Sequence, residues 1–149
     1  VITGENSGVL LTYTSKFIKT SEYSFDGIIS NVQKTQFGYL LITSDENLSV
    51  VYFLCPHFDI LFRENRSDNL KAFALASSVY LYSLDENSLN IYSVSNFVIT
   101  GYLSVAAENP KNLSVVYDKS SAFIILSANG ISNQDGYGGA DIFILTVTL

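Results

Sequence analysis

The residues best suited to chemistry stand together at Cys55-Pro56-His57-Phe58-Asp59. A thiol, an imidazole and a carboxylate at alternate positions would share one face of a strand, which is how a nucleophile and its base could be held side by side. Pro56 disturbs that regularity, because it cannot donate to a ladder and belongs between strands or at an edge. His57 is the sole histidine and Cys55 the sole cysteine of the chain. No second imidazole can complete a typical zinc site or relay, and no intrachain disulfide can form. The segment therefore reads as a turn between strands, and no catalytic residue is assigned.

A second set of chemical letters lies in Asp135-Gly136-Tyr137-Gly138-Gly139-Ala140-Asp141. Two carboxylates, the nearby Asn133 and several glycines could wrap a calcium ion, with Asp135 and Asp141 as ligands. The spacing is not that of an EF-hand loop, and the glycines alone account for a mobile hairpin. No metal or cofactor is therefore assigned, and Asp135 and Asp141 remain the alternative. There is no phosphate-cradling glycine loop, no Ser/His/Asp set and no basic stripe interleaved with aromatics.

Short runs rich in β-branched and aromatic residues recur between Gly, Asn, Asp and Ser, and helical periodicity is nearly absent. The expected strands run over 8–14, 17–23, 28–33, 37–44, 48–54, 57–63, 70–75, 79–83, 89–94, 97–103, 113–117, 122–128 and 141–147. Asp45-Glu46-Asn47 recurs forty residues later as Asp85-Glu86-Asn87, and each copy runs on five residues into Tyr52 or Tyr92. A weaker copy, Glu5-Asn6-Ser7-Gly8, leads to Tyr13. Ile18, Phe58 and Val98 also share the forty-residue interval. A fixed period in this range marks a repeat architecture. Asp and Asn suit these turns because they bond nearby amides and tolerate left-handed backbone, so the repeat reads as architecture before recognition.

Four short strands per cycle with short loops make an antiparallel meander, and one such sheet cannot bury both faces alone. The expected fold is all-β: a partial β-propeller of four-stranded antiparallel blades with a period of about 40 residues. Approximate blades are 1–27, 28–69, 70–112 and 113–149, within a single partial propeller domain. A β-sandwich is the plainer alternative. The chain begins with Val and contains no Met, and it is expected to be a piece of a longer protein. The missing blades would come from unseen chain or from a partner.

These turns and aromatics resemble a divergent WD-repeat propeller. In that family a turn of the Asp-Gly kind joins the second and third strands, and an aromatic, usually Trp before Asp, closes the third. Here Tyr13, Tyr52 and Tyr92 take the aromatic place, while Trp-Asp and the opening Gly-His pair are absent. Phe25-Asp26-Gly27-Ile28-Ile29 stands where Gly-His would be. Gly138-Gly139-Ala140-Asp141-Ile142-Phe143-Ile144 also resembles bacterial propeller repeats that end in Gly-Gly-x-Asp.

A net charge of −6 gives no electrostatic grip on phosphate backbones, so no direct nucleic-acid partner is expected. No apolar run is long enough for a membrane span. Together these features imply a non-catalytic scaffold, an intracellular subunit of a larger multi-subunit complex that binds other proteins. The alternative is a secreted or surface propeller binding carbohydrate or calcium through 130–141. Sequons at Asn47, Asn65 and Asn112 leave an extracellular location open. A propeller enzyme with its catalytic residues in unseen blades is the third reading.

Overall fold

The computed structural model describes residues 2–3, 7–45, 48–75, 78–118, 121–129 and 140–148, with the backbone alone at 2–3, 75, 117–118, 127–129, 140–143, 145 and 147–148. Every regular element among them is a strand, and the strands form four antiparallel sheets, none of which closes on itself. The first sheet holds β1 (Ile2–Thr3), β2 (Ser7–Tyr13) and β3 (Lys19–Asp26) in that order. The second is the meander β4 (Ile28–Thr35), β5 (Gly38–Asp45), β6 (Leu48–Leu54) and β7 (Ile60–Arg66). The third is the meander β8 (Lys71–Leu75), β9 (Ser78–Asp85), β10 (Ser88–Ser95) and β11 (Val98–Ala106). The fourth holds β12 (Asn112–Asp118), β13 (Ser121–Asn129) and β14 (Ala140–Thr148). The chain divides into two compact units, Val1–Ala72 and Phe73–Leu149.

The sheets repeat in register as well as in order. In the first sheet Leu11 faces Glu22, Thr12 faces Ser21 and Tyr13 faces Lys19, so Thr20 is skipped. In the second, Tyr52 faces Arg63, Phe53 faces Phe62 and Leu54 faces Ile60, so Leu61 is skipped. Each pair is the other with 41 added to both numbers, and the bulge falls at the same place. A bulge is a specific departure from the ladder, and its recurrence marks one structural unit used twice. Between the second and third sheets the tight turn moves by 40, from Asp45↔Leu48 to Asp85↔Ser88. There the outer bulge differs, falling at Tyr102 between Ile91 and Tyr92 of the facing strand.

This register corrects two of the equivalences expected from spacing. Tyr52 and Tyr92 do correspond, but the first-sheet counterpart of Tyr52 is Leu11, and Tyr13 corresponds to Leu54. Burial agrees with the assignment: Tyr52 is 2% exposed and packs edge-on against Phe25, whereas Tyr13 is 52% exposed. Likewise the counterpart of Phe58 is Phe17, not Ile18. Both phenylalanines hold left-handed backbone, at φ 59° and 69°, in turns closed by the same two backbone bonds.

Those turns also explain why the outer strands begin later than their apolar runs. Strands expected from 17, 57 and 97 start at Lys19, Ile60 and Val98. Phe17, Phe58 and Phe97 have positive φ, which a residue other than glycine does not adopt within a strand, so each ring belongs to a turn. Asn96 and Phe97 form a two-residue hairpin loop with φ 48° and 64°, where both central residues must be left-handed.

In the first unit, Leu10, Phe25, Ile29, Leu41, Tyr52 and Leu54 form one buried cluster that packs the first two sheets face to face. Phe58 closes it: its ring stacks on Tyr39 at 4.6 Å and 17° and meets Tyr23 at 5.2 Å. Phe17, with the same backbone, is 88% exposed. The two positions should respond oppositely to glycine, which adopts positive φ freely. Phe17→Gly is expected to leave stability unchanged or raise it by about 1 kcal/mol as left-handed strain is relieved. Phe58→Gly should lower it by about 2 kcal/mol, because the lost ring contacts outweigh that relief. Urea midpoints of the two variants compare them directly.

In the second unit, Phe73, Tyr82, Leu89 and Ile91 of the third sheet pack with Ala122, Ile124 and Leu126 of the fourth. Burial opposes ionisation of the Tyr82 phenol and raises its pKa above the ordinary 10.0. The sign follows from the neutral form being the one that fits: this contribution is intact below pH 10 and is lost as pH rises through the raised value. Tyr82→Phe is therefore expected to show a shallower fall in melting temperature than the parent between about pH 9 and about pH 11.

Candidate functional site

Cys55 follows the last residue of β6 and opens the five-residue turn to β7. Its N–H donates to the Asp59 carbonyl at 2.9 Å, and the Phe58 N–H donates to the Cys55 carbonyl at 2.9 Å. The sulfur accepts the His57 N–H at 3.3 Å and lies 3.6 Å from Asp59 Oδ2, to which the thiol donates. Thus the turn does bring Cys55, His57 and Asp59 together. His57, however, contributes its backbone, and its exposed imidazole makes no hydrogen bond among the described residues. A thiolate nucleophile needs a base or a cation beside it, and the group beside this sulfur is an anion.

The first sheet shows what the sulfur does. Thr14 occupies the Cys55 position, and its N–H and carbonyl make the same pair of bonds, to the Ile18 carbonyl and from the Phe17 N–H, each at 2.9 Å. The Thr14 hydroxyl accepts the Lys16 N–H at 3.3 Å, as the sulfur accepts that of His57. A hydroxyl that performs the same task in the sister turn assigns both side chains to turn closure. Such local acceptance of an amide two residues on is ordinary turn chemistry.

The described Asp-Glu-Asn turn is likewise bound into the fold. Asp85 Oδ2 accepts Asn90 Nδ2 at 2.7 Å and the Ser88 hydroxyl at 3.4 Å. The carbonyls of Asn87 and Glu86 accept N–H groups from Ala107 and Asn109, at 3.0 and 2.6 Å. The loop leaving the third sheet is therefore tied to the β9–β10 turn. Neither Glu86 nor Asn87 has positive φ, so left-handed tolerance is not what selects these residues. Their use is as acceptors and as side chains that bond locally. The second sheet ties its exit loop at a related place, where the buried Ser49 hydroxyl accepts the Leu70 N–H at 2.9 Å. Glu46 and Asn47 lie outside the described residues.

Asp135 and the rest of 130–139 also lie outside them, and of Asp141 only the backbone is described, in β14 opposite Ala128. The calcium reading of this loop therefore gains no geometry. Among the described residues no group of three or more His, Cys, Asp or Glu side chains could hold a metal ion. None contains a helix long and apolar enough to cross a membrane.

The structure adds a surface feature that spacing did not reveal. An open groove of about 280 Å³ lies along β10 and β11, lined by Asn90, Ile91, Tyr92, Gly101, Tyr102 and Ser104. It forms where the bulge turns Tyr102 out of the ladder, leaving the ring 58% exposed beside Tyr80. The one signal in the sequence was an isolated glycine in a strand, which often marks a bulge. Ser104 donates to Asn90 Oδ1 at 2.8 Å, so the polar groups of the groove are engaged with one another. No family model, curated protein or solved structure matches this chain.

Proposed function

We propose that this chain is a WD-like β-propeller segment acting as a non-catalytic scaffold, an intracellular subunit that presents its surfaces to other proteins in a larger assembly. The observation that carries the reading is the repeated register: the ladders β2–β3 and β6–β7 share six pairs and the bulge, and the third sheet repeats the tight turn of the second. In each unit one sheet buries a face on the next, as blades must. The cluster Cys55-His57-Asp59 serves a turn that Thr14 closes with the same bonds in the sister sheet. Outer strands β7 and β11 expose apolar side chains, among them Ile60, Leu61, Val98 and Tyr102. Exposed apolar strands at sheet edges are liabilities unless another polypeptide covers them.

The test is to isolate the full-length protein from its native source under mild conditions and to weigh it by light scattering and native mass spectrometry. A stable complex with other polypeptides is the expected outcome. Recovery as a monomer, with no partner captured by cross-linking in the cell, would overturn the scaffold reading.

A further inference from the structure

We infer that the groove along β10 and β11 receives an arginine side chain of a partner polypeptide, its stem in the notch at Gly101 and its guanidinium at the Asn90–Ser104 end. The inference rests on the scaffold reading and names one of its contacts. The two ends of the groove follow from the register. At one end Asn90 stands opposite Ser104, and at the other Tyr92 stands opposite Gly101. Between them the bulge places Tyr102, whose ring is 58% exposed. A Cβ at Gly101 would have nothing within 4 Å, so a notch opens there within the groove of about 280 Å³.

The polar end fixes the charge of what enters. Asn90 Nδ2 donates to Asp85 Oδ2 at 2.7 Å and to the Ser88 hydroxyl at 3.1 Å. Ser104 gives its one hydroxyl proton to Asn90 Oδ1 at 2.8 Å. The side-chain donors of Asn90 and Ser104 are thereby used, and what these groups still offer is lone pairs. The Asp85 carboxylate stands behind them, one hydrogen bond from the groove wall. Glu86 and Glu108 are exposed at the same end of the sheet, where the Asn109 N–H bonds the Glu86 carbonyl. From Ala72 to Pro110 the chain carries no Lys, Arg or His, and the next cation, Lys111, donates to Asn109 Oδ1. Acceptors backed by a carboxylate select a cationic donor and repel an anion.

The second sheet indicates which cation. Tyr52, forty residues before Tyr92, faces Arg63, whereas Tyr92 faces Gly101. The outer strand of the second sheet thus supplies an arginine at the place where the third leaves a notch. An arginine from a partner would lay its apolar stem beside Tyr102 and bring a planar fork of donors to the acceptors of Asn90 and Ser104.

A fluorescent peptide, Ser-Thr-Arg-Thr-Ser, is titrated into the full-length protein and followed by anisotropy. Saturable binding is expected, weakened about tenfold when citrulline, neutral and nearly the same shape, replaces the arginine. Asp85→Asn should weaken the arginine peptide about threefold and leave the citrulline peptide unchanged, because the amide oxygen keeps the bonds from Asn90 and Ser88 while the charge goes. Gly101→Leu fills the notch and should abolish binding. Since a Cβ there meets nothing, the urea midpoint of that variant should match or exceed the parent's, and lost binding would not report unfolding. No saturable binding, equal affinity for the two peptides, or undiminished binding to Gly101→Leu overturns the inference. A homodimer that Gly101→Leu dissolves in light scattering also overturns it, since the arginine would then come from a second copy. If the native protein is found in a complex and the peptide fails, the arginine site falls and the scaffold stands. If the native protein is a partner-free monomer, the scaffold falls whatever the peptide does.

Discussion

Phe53→Ala is expected to remove about 4 kcal/mol of stability, since Phe53 is the largest fully buried side chain among the described residues. Phe53 sits near the end of β6, has no exposed surface, and meets the rings of Phe37 at 5.7 Å and Phe62 at 5.9 Å. Truncation removes the transfer energy of a whole ring and leaves a cavity beside strands that cannot collapse without breaking the β6–β7 ladder. Domains of this size are stable by roughly 5–15 kcal/mol, so the variant would lose a large share of its margin. A urea titration should show the midpoint falling with the slope unchanged. Phe53→Leu, which keeps most of the volume, should cost about 1 kcal/mol. Equal midpoints for Phe53→Ala and the parent would mean that this ring is not at the centre of its sheet.

Gly38→Ala should be almost as damaging, on the order of 4 kcal/mol, although it adds a single methyl group. Gly38 closes the β4–β5 hairpin opposite Thr35 and holds φ +144°. A Cβ there would fall on the carbonyl oxygen of Leu54, within 2.7 Å of Cys55 C and 3.0 Å of Cys55 Cα. All three are backbone atoms, so no rotamer change can make room. The β5–β6 register and the Cys55 turn would have to move together, which should appear as lost amide protection at both places. Gly101→Ala is the control, since a Cβ there has nothing within 4 Å. That variant should be neutral or slightly stabilising, because alanine loses less backbone freedom on folding.

Much of the fold could be read from local pattern. Strand positions followed from β-branched and aromatic runs, and β6, Leu48–Leu54, came out with both ends as expected. The tight turns followed from Asp, Asn and Gly. The outer strands began too early because a phenylalanine after a strand looks like more strand. Only the backbone angles of Phe17, Phe58 and Phe97 reveal that it is a turn residue. The chemical letters at Cys55 were correctly read as a turn. The groove beside Tyr102 was not seen, because a bulge changes which way a side chain points without changing the composition of its strand.

The Asp-Glu-Asn spacing pointed to a repeat, and the short loops between its strands pointed to antiparallel sheets. Both properties are local, set by which residues tolerate a turn and which face of a strand is apolar. The true register of the repeat was a tertiary matter. The ladders of the first two sheets run 41 residues apart on both sides of the shared bulge, so Tyr13 aligns with Leu54 and Phe17 with Phe58. The fate of those two phenylalanines was tertiary as well. Their turns are the same, yet one ring is stacked on Tyr39 and the other stands in solvent. The stack on Phe58 comes from β5, whose Tyr39 stands opposite Leu54 beside the turn. No feature of either turn records that neighbour, because it is supplied by chain distant from the turn.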